Sequence, residues 1–279
     1  MRLGLVLCGE GVAAAANAGV LRALSERAVD VHAVSGAGSG AIAAALFAMG
    51  LSRDEMQNAA RRAAKEKRRL LDYPLLGSGR TDGMLQGRGI SRFLLSVTKG
   101  AAMSDCVRPL AVPCLAALSG KTLAFTSLPG MRSRSVVFTR EAPLWFAVRA
   151  AMSTPGLIAH VEWMEVPLVA VQEASGCVQA LLSMGAQEIL LVSPRYQAPR
   201  TCDAFTLSAL CKAHCFERPA EEHVHVIAPE LPQGIGALSL DASDACEQAG
   251  YAAAAQALDG LLESWGMQGA RVLPFRRRD

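Results

Sequence analysis

Apolar residues in this chain come in two spacings: short unbroken runs, and longer stretches in which alanine, leucine and valine recur every three or four positions. The first run, LGLVL at Leu3–Leu7, shows no polar–apolar alternation, as expected of a strand covered on both faces. Val12–Arg27 is alanine-rich and helical. Val29–Val34 is a second buried strand. A small-residue helix, Ala41–Met49, follows it across the turn Gly36-Ala37-Gly38-Ser39-Gly40. Ser52 stands three residues before Glu55, the capping-box spacing, and starts a helix that runs to about Leu71. Tyr73–Gly89, rich in glycine and turn residues, reads as a surface loop ahead of a helix at Ile90–Val97. Strands are expected at Ala111–Leu118, Thr122–Ser127 and Ser135–Phe138, the first two joined at Ser119-Gly120. Ala142–Met152 is helical and stops ahead of Pro155. Further strands fall at Ile189–Ser193 and His223–Ala228, and a long helix, Ala242–Trp265, follows. Helices interleaved with apolar strands predict an α/β fold, a three-layer α/β/α sandwich around a largely parallel sheet. Neither a repeat nor a linker divides the pattern, so residues 1–279 are expected to form one domain.

Composition narrows the function. Of 279 residues, 51% are hydrophobic and 19% charged, enough apolar material for a large core. A net charge of +3 is too mild for a nucleic-acid binder, and at 5% aromatic content base-stacking platforms are scarce. The eight cysteines form no C-x-x-C pair and read as reduced core thiols of a cytoplasmic protein. The apolar start of MRLGLVLCGEG ends at Glu10, too short for a leader, and reads as a strand. Val31–Ser52 carries no formal charge and is long enough to test as a membrane span. Its glycine-serine turn makes it a buried strand-turn-helix instead, so no transmembrane segment is expected.

That turn raises a chemical question. A strand runs into it and a helix runs out, the build of a nucleophile elbow, which reads G-x-S-x-G and lifts one side chain above a sheet. Here the middle position is Gly38. Ser39 is off the elbow spacing, since Ala37 and Ala41 flank it at the two-residue positions, and it reads as the cap of the helix it begins. A second glycine turn, Gly9-Glu10-Gly11, also follows a strand and opens a helix. Read through Ala14 as G-x-G-x-x-A, it fits a dinucleotide fingerprint, whose glycines let phosphate approach a helix N-terminus. Asp30, however, begins the second strand, where an acidic residue should end it. The same loop equally suits an oxyanion hole, or close packing of helix on strand.

Other candidate groups read as structural. Cys202, Cys211, His214 and Cys215 have no common metal-site spacing, and a helix would set Cys211 and Cys215 on one face as core thiols. No metal and no cofactor are expected. His32, His160, His223 and His225 are isolated, although the last two share a strand face. Glu173 reads as solvated surface. Trp145, Phe146 and Trp163 suit an acyl pocket or, more often, a core. Arg61, Arg62, Lys65, Lys67, Arg68 and Arg69 end a helix, and Arg276–Arg278 form a basic tail. Both suit peripheral contact with anionic lipid or an acidic partner, or a solvated face.

Taken in order, LGLVL, the glycine loop, Gly19-Val20-Leu21-Arg22-Ala23-Leu24 and D-V-x-x-V-S-G-x-x-x-G-A-I-x-A-A-L-F-A from Asp30 resemble the start of the patatin-like phospholipases. Later segments keep that family's order: Thr81-Asp82-Gly83 with the helix from Ile90, RPLAVPCLAALSGKTLAFTS, LWFAVRAAMSTPGLIAHVEW, SMGAQEILLVSP and QAGYAAAAQAL. The resemblance implies a Ser–Asp dyad hydrolysing lipid acyl esters. The serine belongs in the elbow and the aspartate in a D-G-G or D-G-A turn. Glycine-loop amides, with an arginine nearby, hold the oxyanion. Carried over position by position, Gly36 and Gly40 match the elbow glycines and the nucleophile falls on Gly38. Gly9 and Gly11 match the glycine loop, Glu10 replaces a glycine, and Ala13 stands in place of the arginine. The aspartate falls at Val169 or Ala170, within PLVAVQEASG, and no aspartate occurs between Asp105 and Asp203. Attack on an ester needs a nucleophile and a base, and neither position supplies one. Glu10 sets a negative charge where an oxyanion would form. The expectation is an inactive pseudoenzyme that binds a lipid or fatty-acyl group, or a partner protein. The alternatives are an acyl hydrolase working from Ser39, and a nucleotide-binding module using Gly9-Glu10-Gly11.

Overall fold

The computed structural model describes residues 1–74, 82–200, 202–216 and 223–266. Strand β1 (Leu3–Leu7) leads through a 3-10 turn into helix α1 (Ala16–Glu26), and β2 (Val31–Gly36) leads into α2 (Gly40–Ala48). Next come α3 (Arg53–Lys65), α4 (Lys67–Leu70), a short β3 (Gly83–Leu85) and α5 (Arg88–Val97). The chain returns to the sheet with β4 (Leu110–Ala116), β5 (Lys121–Thr126) and β6 (Val136–Thr139). After α6 (Leu144–Ala151) follow β7 (Gly156–Ile158), β8 (Val161–Trp163) and β9 (Val166–Ala170). The remaining elements are α7 (Ser175–Ser183), β10 (Glu188–Val192), α8 (Ala204–Phe216), β11 (Val224–Ile227) and α9 (Ser243–Ser264).

The main sheet is ordered β11-β10-β1-β2-β4-β5-β6. From β11 to β4 the neighbours are parallel. β5 runs antiparallel to β4 and β6 parallel to β5, while β8 and β9 pair antiparallel beside the second half of β4. β3 and β7 form a separate parallel pair. Side chains alternate across β1: Leu3, Leu5 and Leu7 enter the core shared with α1, α2, α6 and α9, while Val6 and Cys8 pack with α7 on the other face. Helices on both faces give three layers, and two-sided burial explains the unbroken apolar run of β1.

Two contacts set the geometry on the α1 side. α1 and α9 cross backbone to backbone at Gly19 and Gly250. A Cβ on Gly250 would strike the carbonyl of Ala16, and one on Gly19 the carbonyl of Glu247. Arg149 of α6, buried, donates to the carbonyls of Ala159 (2.6 Å), Gly87 (3.3 Å) and Gln86 (3.4 Å) and to Ser153 Oγ (2.7 Å). It thereby ties the β3–β7 pair to the helical layer.

Several expectations need correction. The helix begun at Ser52 has its capping box, Glu55 N–H to Ser52 Oγ at 3.3 Å and Ser52 N–H to Glu55 Oε2 at 2.8 Å. It ends at Lys65 rather than Leu71, because Glu66 (φ −93°, ψ 10°) leaves the helical region and separates α3 from α4. The loop expected at Tyr73–Gly89 contains β3, and its Thr81 lies outside the described residues, as do Arg276–Arg278. Cys8, Cys114, Cys177 and Cys246 are buried, but Cys202, Cys211 and Cys215 are exposed and are not core thiols. On α8 the inward face is Ala209, Lys212 and Phe216, which turns the two cysteines outward. The uncharged Val31–Ser52 segment is β2, the turn and α2. Among the described residues no helix is long and apolar enough to cross a membrane.

Candidate functional site

The turn between β2 and α2 sits at the C-terminal edge of the parallel strands, against the glycine loop that leaves β1. Gly40 N–H donates to the Gly9 carbonyl (3.0 Å), and a Cβ on Gly40 would strike the Leu7 carbonyl, so only glycine allows this approach. Gly38 has φ +60°, a conformation that strains residues with a Cβ. A Cβ there would lie 2.5 Å from Glu10 Oε1 and 2.8 Å from Glu10 Cδ. The Glu10 carboxylate thus fills the space into which a side chain at position 38 would project.

Glu10 is held from two sides. Lys212 Nζ donates to Glu10 Oε1 (2.6 Å) and to Thr154 Oγ1 (2.9 Å). Tyr196 Oη donates to the Glu10 carbonyl (2.6 Å) and accepts the Ala13 N–H (3.1 Å). Burial pushes the Tyr196 phenol far above its ordinary pKa and keeps it a donor. No motif in the sequence singles out Lys212, Thr154 or Tyr196. The one signal available was a lysine on the apolar stripe of α8, three residues after Ala209 and four before Phe216.

The amides that follow Glu10 are engaged. Gly11 N–H donates to Ser39 Oγ (3.1 Å), Val12 N–H to the Ala237 carbonyl (2.9 Å) and Ala13 N–H to Tyr196. A phosphate approaching this loop would meet amides already bonded and a carboxylate beside them. Ser39 stands at the N-cap position of α2, but contrary to expectation its side chain does not cap the helix. Its backbone is already helical (φ −67°, ψ −19°) and its hydroxyl turns back to the glycine loop. Among the described residues no carboxylate or imidazole hydrogen-bonds to Ser39 Oγ. Cys8 offers no substitute nucleophile: burial foremost, then Cys177 and Glu10, push its thiol pKa up against the lowering effect of Lys212.

Val169 and Ala170 end β9, opposite Leu115 and Cys114 of β4. Ala170 N–H donates to the Ser153 carbonyl (2.9 Å), which sets the end of β9 beside Thr154. Glu173 is exposed and accepts from Ser175 Oγ (2.7 Å), matching its solvated reading.

Beyond Glu10 and Ser39 lies a cleft of about 200 Å³. Its walls are apolar, including Ile42, Leu46, Met56, Leu85, Phe93 and Ile158, with Thr154 beside Glu10 and Ser39. Trp145, Phe146 and Trp163 are not part of it. Phe146 and Trp163 pack edge to face on Phe125 (ring centres 5.9 and 5.7 Å) and tilted against each other (5.4 Å), Trp145 stands edge to face on Phe146 (5.8 Å), and all three lie half-buried against the core. Of the basic cluster, Arg61 reaches Asp244 (3.4 Å) and Arg62 reaches Glu66 (2.7 Å) and Ser96 Oγ (2.8 Å), while Lys65, Arg68 and Arg69 are exposed. His223 and His225 share a face and both meet Glu188, at 3.4 and 2.8 Å. No cluster of three metal-ligating side chains occurs among the described residues.

The family model for patatin-like phospholipase matches residues 5–171. Over 164 residues the chain is 31% identical to NTE family proteins of Mycobacterium tuberculosis and Mycobacterium bovis, a match covering 57% of this chain. It covers 24% of theirs, so the chain spans about a quarter of the length of these relatives. The crystal structure of VipD from Legionella pneumophila superposes with a TM-score of 0.56 at 12% identity, covering 93% of this chain and 67% of that one. At that identity the likeness is one of fold.

Proposed function

The chain belongs to the patatin-like phospholipase family, and from that premise we propose that it binds a single acyl or alkyl chain without hydrolysing it. The observation that carries this reading is the Glu10 carboxylate standing over Gly38 at the inner end of an apolar cleft. In this reading Gly38 takes the nucleophile position and Val169 or Ala170 the aspartate position, so neither attack nor proton removal has a group to perform it. An oxyanion forming near Gly38 would face a fixed negative charge, the reverse of what acyl transfer requires. The cleft still suits a chain. A cavity of ~150 Å³ accommodates benzene, so by the same ratio about eight carbons fit here.

Purified protein should give no turnover with p-nitrophenyl octanoate and no label with a fluorophosphonate probe. Its melting temperature should rise with an eight-carbon ligand and not with nucleotides, because only a ligand bound to the folded state stabilises it. A fluorophosphonate label that disappears in Ser39→Ala would overturn the reading in favour of the hydrolase. A rise with nucleotides alone would favour the glycine-loop alternative.

The cleft wall also suggests where such a ligand is met. α3, α4 and α5 line the cleft with Met56, Leu70 and Phe93 and, with the turn after α5, expose Lys65, Arg68, Arg69, Arg88, Arg92 and Lys99. In this reading that surface rests on an anionic bilayer.

A further inference from the structure

The polar groups lining the cleft are unevenly charged. Three carboxylates line it, Glu10, Asp244 and Glu247, and among the described residues no lysine, arginine or histidine does. Glu247 is 4% exposed and engaged by Arg53 (2.8 Å) and Gln57 (2.7 Å). Asp244 is 61% exposed and stands 3.4 Å from Arg61, a surface pair of little strength. Glu10 differs from both. Its counter-charge, Lys212, lies outside the cleft, in a separate small cavity with Cys8, Gly9 and Phe216, and reaches only Oε1. Among the described residues Oε2 has no hydrogen-bond partner. The chain in the cleft would therefore end against a carboxylate whose cation does not itself line the cleft.

Two hydroxyls flank it. Ser39 Oγ accepts from Gly11 N–H and Thr154 Oγ1 accepts from Lys212, so each has its own hydrogen left to donate. The set offers one charged acceptor and two neutral hydroxyls to whatever head group arrives. A donor head completes it: O–H or N–H to Glu10 Oε2, with a hydroxyl donating back to the head oxygen. A fatty carboxylate would bring a second negative charge beside Glu10 between apolar walls, where like charges repel more strongly than in water.

We propose that this cleft takes a single-chain amphiphile whose head donates a hydrogen bond and carries no negative charge, an alcohol or an amine, and that Glu10 excludes the corresponding carboxylate. This rests on the chain-binding reading above.

Titration calorimetry at pH 7 with octan-1-ol, octylamine and octanoate, each below its aggregation limit, tests it. The alcohol and the amine are expected to bind at least tenfold more tightly than octanoate, and in Glu10→Gln that gap should shrink below about threefold. Octanoate binding as tightly as the alcohol overturns the inference and leaves chain binding intact. No binding of any of the three, seen neither as heat at two temperatures nor as a rise in melting temperature, overturns chain binding and the inference with it. Should Glu10→Gln fail to fold beside Lys212, the wild-type ranking decides, and Ser39→Ala supplies the second variant. Loss of affinity for octanol but not for octylamine in Ser39→Ala supports the hydroxyl's donating role, and no change in either overturns that role.

Discussion

At Gly38 two independent constraints act on one atom: the backbone lies at φ +60°, and Glu10 occupies the space a Cβ needs. Gly38→Ser should therefore lower stability by about 1–3 kcal/mol in urea unfolding, the usual range for a strained backbone together with an overfilled contact. It should also give no turnover of p-nitrophenyl octanoate, because the acid at Val169 or Ala170 is still missing; measurable hydrolysis in this single variant would count against the assignment of Gly38. Lys212 is 7% exposed and its partner Glu10 16%, so Lys212→Met leaves a largely buried carboxylate alone and should cost about 3 kcal/mol. Glu10→Gln with Lys212→Met together should cost less than the sum of the two single changes, since the residues are in direct contact. Thiol reactivity offers a check that needs no variant. Burial pushes Cys106 up to about 11 and Cys177 and Cys246 up to about 12, and also raises Cys8 and Cys114. Ellman's reagent should titrate three cysteines rapidly in the native protein, the exposed Cys202, Cys211 and Cys215, and all eight after denaturation. The glycine at 38 and the glutamate at 10 could be read from the chain because turn chemistry is local. Lys212 and Tyr196 could not, being 202 and 186 residues from Glu10.

Elements divide along the same line between local and non-local causes. The helical segments α1, α2, α5 and α9, and the buried runs of β1, β2, β4 and β10 stand where the runs and spacing of apolar residues put them, within a few residues. β3, β7 and β8 have three residues each, too few to show any period; β3 and β7 exist because they pair with each other across the chain, and β8 because the adjacent β9 folds back on it. α7 gives no clear signal in the sequence either. Its nine residues have several small and polar members, and burial against the sheet rather than helix propensity holds them. Two changes test the elements directly. Ser52→Ala removes the acceptor of the α3 capping box and should cost about 1 kcal/mol by thermal or chemical denaturation. Gly250→Ala should cost more, about 2–3 kcal/mol, because α1 and α9 must separate to admit a methyl group against the Ala16 carbonyl. A neutral result there would mean that the two helices shift freely.

The whole molecule is electrostatically lopsided in a way its modest total conceals. Residues 61–100 hold ten lysines and arginines against three acidic residues, +7, so with +3 overall the rest of the chain carries −4. Sedimentation with phosphatidylcholine vesicles should show little binding, and vesicles containing phosphatidylserine clearly more, with the difference fading as salt rises toward 0.5 M. Replacing Lys65, Arg68 and Arg69 by glutamate should abolish that difference while leaving octanol binding unchanged; equal binding to both vesicle types would exclude the bilayer as the partner of this face. Layering and sheet direction could be read from the alternation of elements, whereas the cleft could not, because its walls are gathered from the glycine loop, α1 to α5, β3, β7, α8 and α9. One guanidinium governs part of that wall. Arg149 clasps the carbonyls of Gln86, Gly87 and Ala159 at once, and Leu85, Ile90 and Ile158 hang from those same segments. Such a clasp has no half-open position. Amide protons along 83–90 and 156–159 should accordingly exchange with deuterium at one common opening rate, so that the floor of the cavity breathes as a single hatch rather than fraying strand by strand.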